Sequence, residues 1–187
     1  LYVIYDELYE TLQGAYAIDL SDPDNYSLRF NGPEISTHNI YLSSGGFTTA
    51  DIDGDGNQDL IVGAYGTDFN SRGNSGSVYI IYNVLIQSYQ GKNIDLLDED
   101  NYNFRIDGPI TKYALPNNST VLAKDIDNDG RPDLMFGSSE TFDQSNIGEG
   151  SLWIIYNDII RNYSTKNIDL ADDNNYSLRI QGADVDH

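Results

Sequence analysis

The stretch Asp51-Ile52-Asp53-Gly54-Asp55-Gly56-Asn57-Gln58-Asp59-Leu60-Ile61-Val62-Gly63 decides the reading of this chain, because it occurs twice. Its second copy runs Asp125-Ile126-Asp127-Asn128-Asp129-Gly130-Arg131-Pro132-Asp133-Leu134-Met135-Phe136-Gly137, which sets a period of 74 residues. Each copy is an acidic loop that delivers the chain into a short apolar run. Self-similarity at a fixed long period is the mark of a repeat architecture, in which each unit buries its apolar faces against its neighbours.

Working outward, the flanking segments repeat as well. Leu1-Tyr2-Val3-Ile4-Tyr5, Val78-Tyr79-Ile80-Ile81-Tyr82 and Leu152-Trp153-Ile154-Ile155-Tyr156 are three versions of one run. Each is followed by an Ile-Asp-Leu triplet (Ile18–Leu20, Ile94–Leu96, Ile168–Leu170) and by an Asn-Tyr-x-(Leu/Phe)-Arg-(Phe/Ile) segment ending near Gly32, Gly108 and Gly182. One period therefore reads as four short strands, near 47–50, 60–63, 77–82 and 102–106. Runs of four to six residues rich in Ile, Val and Tyr, bounded by Gly, Asn and Asp, are buried-strand signals. The stretches 6–13, 83–90 and 157–163 each suit a turn of helix. Four strands per repeat, apolar on both faces, is the unit of a β-propeller blade, whose sheet is sandwiched between two others.

The expected fold class is thus all-β, with four-stranded antiparallel blades. About two and a half blades of a larger propeller are present. Residues 1–40 read as the last two strands of a preceding blade plus a linker. Residues 41–107 and 117–182 read as complete blades, and 183–187 as the start of a link onward. The first residue, Leu1, lies inside a strand-like run with no leader before it, so the chain reads as a processed or excised segment. A ring of about four to eight blades needs more chain or other subunits.

The loops carry the sharpest chemistry. Carboxylates at loop positions 1, 3, 5 and 9 (Asp51, Asp53, Asp55, Asp59; Asp125, Asp127, Asp129, Asp133), with glycine at position 6, suit a hard cation that takes six to eight oxygens. Position 7 contributes a backbone carbonyl, so Asn57 and Arg131 differ in side chain without loss. An all-oxygen set selects Ca²⁺ over zinc or copper, and Mg²⁺ fits less well because it holds a strict octahedron and its own waters. An EF-hand needs Glu at position 12, where Val62 and Phe136 stand, and a helix where strands follow. Two other readings are a solvated acidic turn and a dockerin-type helical repeat; the turn would leave four like charges in mutual repulsion.

Pattern and context together resemble the FG-GAP repeat of integrin α-subunit propellers and their bacterial relatives. The resemblance rests on Asp-x-Asp-x-Asp-Gly-x-x-Asp followed by Leu60-Ile61-Val62-Gly63-Ala64, on the strands at 76–82 and 150–156, and on 26–33 with its copies. The sequence departs from that pattern at Gly46-Phe47 and at Ser119-Thr120-Val121-Leu122, where Phe-Gly is usual, and at Tyr65 and Ser138-Ser139 after the strand. The resemblance implies two calcium sites, with ligands Asp51, Asp53, Asp55, Asn57 (carbonyl) and Asp59, and Asp125, Asp127, Asp129, Arg131 (carbonyl) and Asp133. It also implies an extracellular or cell-surface role in adhesion, binding a protein or glycan partner. Two alternatives are a self-assembling unit of a surface filament or layer, and an accessory domain of a secreted enzyme.

Composition narrows the remaining classes. The chain has 187 residues, 30 Asp and Glu against 10 Lys and Arg, and a formal net charge of −20. That charge repels phosphate backbones and anionic membrane surfaces, so neither nucleic acid nor membrane insertion is expected. The absence of cysteine excludes disulfides, thiol nucleophiles and zinc–thiolate sites. His38 and His187 leave little for histidine chemistry, and His38 reads as a surface loop residue. No nucleophile elbow, phosphate loop or HExxH motif occurs, and the repeated acids are taken by the loops, so catalysis is not expected.

Five sequons, at Asn25, Asn117, Asn118, Asn162 and Asn175, make the chain a candidate glycoprotein. Asn117 and Asn118 are the better acceptors, whereas Asn25 and Asn175 recur at a turn position. The acids after each Ile-Asp-Leu triplet (Asp22 and Asp24; Asp98, Glu99 and Asp100; Asp172 and Asp173) read as turn caps rather than a second cation site. Arg29, Arg105 and Arg179 are expected to pair with neighbouring carboxylates.

Overall fold

The computed structural model describes residues 1–12, 17–33, 41–109, 115, 121–138 and 150–182. Three sheets follow one another along the chain. The first contains β1 (Tyr2–Val3) and β2 (Leu28–Asn31), with helix α1 (Asp6–Leu12) between them in sequence. The second is built from β3 (Tyr41–Ala50), β4 (Asp59–Tyr65), β5 (Ser77–Ile81) and β7 (Phe104–Asp107), with α2 (Asn83–Ser88) and β6 (Asn93–Asp95) between the last two. The third is built from β8 (Leu122–Lys124), β9 (Asp133–Ser138), β10 (Ser151–Ile155) and β12 (Leu178–Gln181), with α3 (Asn157–Asn162) and β11 (Asn167–Asp169). These are antiparallel blades of a β-propeller, and the three helices fall in the stretches where the sequence suits a helical turn.

The alternation of strand side chains (period two) explains the apolar runs on both faces. In the second sheet Ile61, Val78, Ile80 and Ile106 point toward the third, joining Leu134, Phe136, Trp153 and Ile155 in one core. Their neighbours Leu60, Val62, Tyr79 and Ile81 point the other way, to meet Leu28, Phe30, Ile94 and Tyr102 in a second core. Strands β4 and β5 are buried on both sides because each lies between two other sheets.

The Ile-Asp-Leu triplets depart from expectation. Read as part of a turn, the second and third also form short strands that cross to the preceding blade. β6 pairs in parallel with β2 (Arg29 opposite Asn93, Phe30 opposite Ile94, Asn31 opposite Asp95). β11 pairs in the same way with β7 (Arg105 opposite Asn167, Ile106 opposite Ile168, Asp107 opposite Asp169). The second blade is thus five-stranded and mixed, in the order β11-β7-β5-β4-β3. The driving force is burial: Ile94 and Ile168 cover the outer strand of the sheet before them and are 4% and 0% exposed. The turn reading of the acids holds alongside, since Asp22, Asp98 and Asp172 each accept the N–H two residues on, at 2.9–3.0 Å.

The repeated arginines behave differently in each blade. Arg105 makes two bonds to Asp107 (Nε–Oδ1 2.7 Å, Nη2–Oδ2 3.0 Å) and its guanidinium lies 3.3 Å from the centre of the Phe69 ring. Arg29 instead donates to the amide oxygen of Asn31 at 2.7 Å, because the position of Asp107 is Asn31 in the first copy. Arg179 lies over Trp153, 5.0 Å from its ring centre, and donates to Ser151 Oγ at 3.4 Å.

Candidate metal centres

Each acidic loop joins the first two strands of a blade, β3 to β4 and β8 to β9. Its tight path needs left-handed backbone at two points. Position 6 is Gly56 (φ +90°) and Gly130 (φ +89°), and position 4 is Gly54 (φ +80°) and Asn128 (φ +63°). Asparagine substitutes at position 4 because its short polar side chain tolerates that conformation. The sequence marked the glycine at position 6, and the requirement at position 4 emerges only in the structure.

The fold brings positions 1, 3 and 9 together. Asp51, Asp53 and Asp59 form one group and Asp125, Asp127 and Asp133 the other, each offering carboxylate oxygens within 4.8 Å of one another. Asp55 and Asp129, at position 5, stand outside these groups. Their Oδ1 atoms accept the N–H of Asn57 and Arg131, both at 2.8 Å, which tightens the turn. No contact in the structure distinguishes the Asn57 and Arg131 carbonyls as ligands.

The position-9 acids are the anchors. Asp59 is fully buried; its Oδ2 accepts the Ile52 N–H at 2.8 Å and its Oδ1 the Asn83 N–H at the start of α2, at 2.9 Å. Asp133 repeats this with Ile126 N–H (2.9 Å) and Asn157 N–H (3.0 Å). Burial pushes the Asp59 carboxyl above the usual range against these backbone bonds, with the Asp53 charge adding. Asp127 is raised too, by desolvation first and then by the charges of Asp129, Asp133 and Asp125. Desolvation leads both shifts and neighbouring carboxylates add to them; a cation facing these groups would favour their charged forms.

The donor set fits a hard divalent ion. Every candidate atom is an oxygen, and Asp125 Oδ1 is buried with no hydrogen-bond partner. A buried carboxylate oxygen without a partner is costly unless something positive faces it.

Asn157 is the residue that sequence reasoning missed. Its Nδ2 donates to the Ile52 carbonyl of the second blade's loop (2.9 Å) and to the Pro132 carbonyl of its own (3.2 Å), so one amide couples both loops. The signal was present in the repeated Ile-Tyr-Asn at 81–83 and 155–157. Asn157→Ala leaves two carbonyls without a donor inside the interface, at an expected cost of about 1–3 kcal/mol. Chemical denaturation measures it; a change within error would show that water serves those carbonyls equally well.

Beside the first cluster, between the second and third blades, lies an open groove of about 420 Å³ lined by Asp53, Tyr82, Asp100, Tyr102, Arg161 and Lys166, among others. It mixes both charge signs with aromatic surface. Burial, followed by the charges of Asp53 and Asp59, pushes the Tyr82 phenol up to about 12, so it stays a neutral donor.

The sequons divide. Asn25 and Asn175 use their side-chain N–H groups to hold the carbonyls of Asp19 and Asp169 at 2.9 and 2.8 Å, as expected of turn residues. Asn162 is exposed at the end of α3, while Asn117, Asn118, His38 and His187 lie outside the described residues.

The strand–acidic loop–strand geometry defines this protein as a propeller segment built from blades with acidic hairpin loops. Residues 45–81 match the family model of the FG-GAP repeat, so the stretch holding the first loop, with β4 and β5, is an FG-GAP repeat. Among curated proteins none matches the chain. No helix among the described residues is long and apolar enough to cross a membrane.

Proposed function

We propose that this segment is a calcium-stabilised part of an FG-GAP propeller whose role is recognition, of a protein or a glycan, at the cell surface or outside the cell. The observation that carries the reading is the pair of three-carboxylate groups at equivalent points of successive blades. Asp51, Asp53 and Asp59 hold one Ca²⁺, and Asp125, Asp127 and Asp133 the other. Asp55, Asp129 and the carbonyls of Asn57 and Arg131 complete the shells as the loops close on the ion. Bound calcium supplies charge neutralisation and ties the first two strands of the blade together. Extracellular calcium is abundant enough to keep even weak sites of this kind filled. The groove beside Asp53, with its tyrosines and mixed charges, is the surface best suited to a polar partner. The role is binding rather than catalysis, since the buried acids Asp59 and Asp133 are engaged by backbone N–H groups.

Isothermal titration with Ca²⁺ tests the reading. The expected result is two equivalents bound by the native chain and one by Asp53→Ala, with the second blade's site lost and the third's kept. No heat of binding for the native chain would sink the calcium assignment. Loss of both equivalents in Asp53→Ala would show that the sites are not local to their blades.

A further inference from the structure

The position five residues past the closing tyrosine of each apolar run differs in every copy. Glu10, Gln87 and Arg161 stand there, after Tyr5, Tyr82 and Tyr156. Arg161 belongs to the last turn of α3 and is exposed. It nevertheless reaches the acidic loop of the blade before: a Cβ placed on Gly54 would meet Arg161 Nη1 at 3.1 Å. Gly54 is loop position 4, between Asp53 and Asp55, and its N–H donates to Asp51 Oδ1 at 2.8 Å. Asp53 and Arg161 both line the groove between the two blades. Tyr82, on the same groove, senses both: burial leads its upward shift, Asp53 and Asp59 add to it, and Arg161 opposes it.

The loop at 51–59 has four aspartates and no basic residue, whereas the loop at 125–133 has four and Arg131. The second blade's loop thus takes from the third blade a cation that the third blade's loop carries in its own sequence. Among the described residues, Arg161 has no carboxylate at ion-pair distance, so its charge is not tied into a bridge elsewhere. A guanidinium at that place acts in opposite directions on the two states of the loop. With the loop empty, it offsets the mutual repulsion of the carboxylates. With a divalent cation bound, it faces a like charge across a partly exposed gap, where salt screens the repulsion.

We propose that Arg161 of the third blade is an electrostatic brake on calcium binding by the second: it steadies the empty loop and lowers the affinity of Asp51, Asp53 and Asp59 for Ca²⁺. The inference rests on the calcium reading given above and adds a regulator to it. Calcium entering the second blade works against a charge carried by the third, so filling of the site depends on how closely the two blades are seated. The natural replacement is glutamine, which α2 carries at the equivalent position as Gln87.

The test is calcium titration of the full chain in which Asp127→Ala has silenced the third blade's loop. In that background Arg161→Gln binds Ca²⁺ about three- to tenfold more tightly than its parent at low salt. Arg161→Lys stays within about twofold of the parent, and the gain from glutamine shrinks as salt is raised. In the complementary Asp53→Ala background, where the third blade's site remains, Arg161→Gln leaves the affinity unchanged. In EGTA, Arg161→Gln melts below its parent, a readout that needs no ion. Equal or weaker binding by Arg161→Gln, equal tightening by Arg161→Lys, the same gain at the third blade's site, or an unchanged melt in EGTA would overturn the brake. Calcium binding by none of these proteins would overturn the calcium reading and the brake with it, which tells the two failures apart.

Discussion

Asp107→Ala is expected to cost about 3–5 kcal/mol, the usual result of removing one partner from a buried ion pair. Both side chains lie almost wholly out of water, with 7% and 1% of their surface exposed. The Asp107 carboxylate also accepts Ser77 Oγ at 2.9 Å and Asn70 Nδ2 at 3.1 Å. Deleting it leaves a guanidinium stacked on Phe69 without its carboxylate, and takes one acceptor each from Ser77 Oγ and Asn70 Nδ2, whose remaining partners are Thr67 Oγ1 and Asp169 Oδ2. For a chain of this size the loss lowers Tm by about 6–20 °C. Asp107→Asn keeps an acceptor and the shape, and is expected to lose much less. The other blades argue for this order: asparagine suffices opposite Arg29, which is solvent-exposed, and the carboxylate occurs where the arginine is buried. Guanidinium denaturation reads both variants; a loss below about 1 kcal/mol for Asp107→Ala would show that the pair contributes no more than a surface contact.

What the sequence disclosed, and what it did not, divides along the range of the interactions. The hairpins, the acidic loops and the three helical turns are local: their periodicity, turn residues and charges lie within a dozen residues. The sequence grouped positions 1, 3, 5, 7 and 9 of each loop, and the tight turn gathers the carboxylates of 1, 3 and 9, while that of position 5 turns to the N–H of position 7. The cross-blade strands were not legible. β6 and β11 are three residues long, too short to show alternation, and their hydrogen-bond partners lie more than 60 residues earlier. The acids beside them, which cap a turn, gave the stronger local signal. The same limit hid Asn157, whose amide reaches Ile52 across 105 residues. It also hid the reach of Arg72 to Asp169 at 2.5 Å, which ties the loop between β4 and β5 to the next blade. Ile18–Leu20 supports the point from the opposite side. It has the triplet but forms no strand, so the triplet alone does not specify one.

On the proposed calcium reading, removing the ion is expected to have the other large effect. If each site binds with a Kd a hundredfold below the ion concentration, saturation stabilises the fold by about 2.7 kcal/mol per site. The two groups sit in separate loops, so their contributions add to about 5 kcal/mol, and excess EGTA lowers Tm by about 10–20 °C. Ca²⁺ restores the original curve, whereas Mg²⁺ at equal concentration restores less, because clustered carboxylates on an irregular loop suit a larger and less strictly octahedral ion. Asp53→Ala removes about half of the calcium-dependent shift. The coupling through Asn157 adds a further consequence. Its amide bonds the Ile52 carbonyl next to Asp53, so loosening the second blade's loop also weakens its hold on the third blade. Amide exchange near α3 should therefore quicken in Asp53→Ala even though the third blade keeps its own ion. A melting curve unchanged by EGTA would leave the carboxylate groups without a cation to explain them. Unchanged exchange at α3 would confine calcium's effect to the hairpin that binds it.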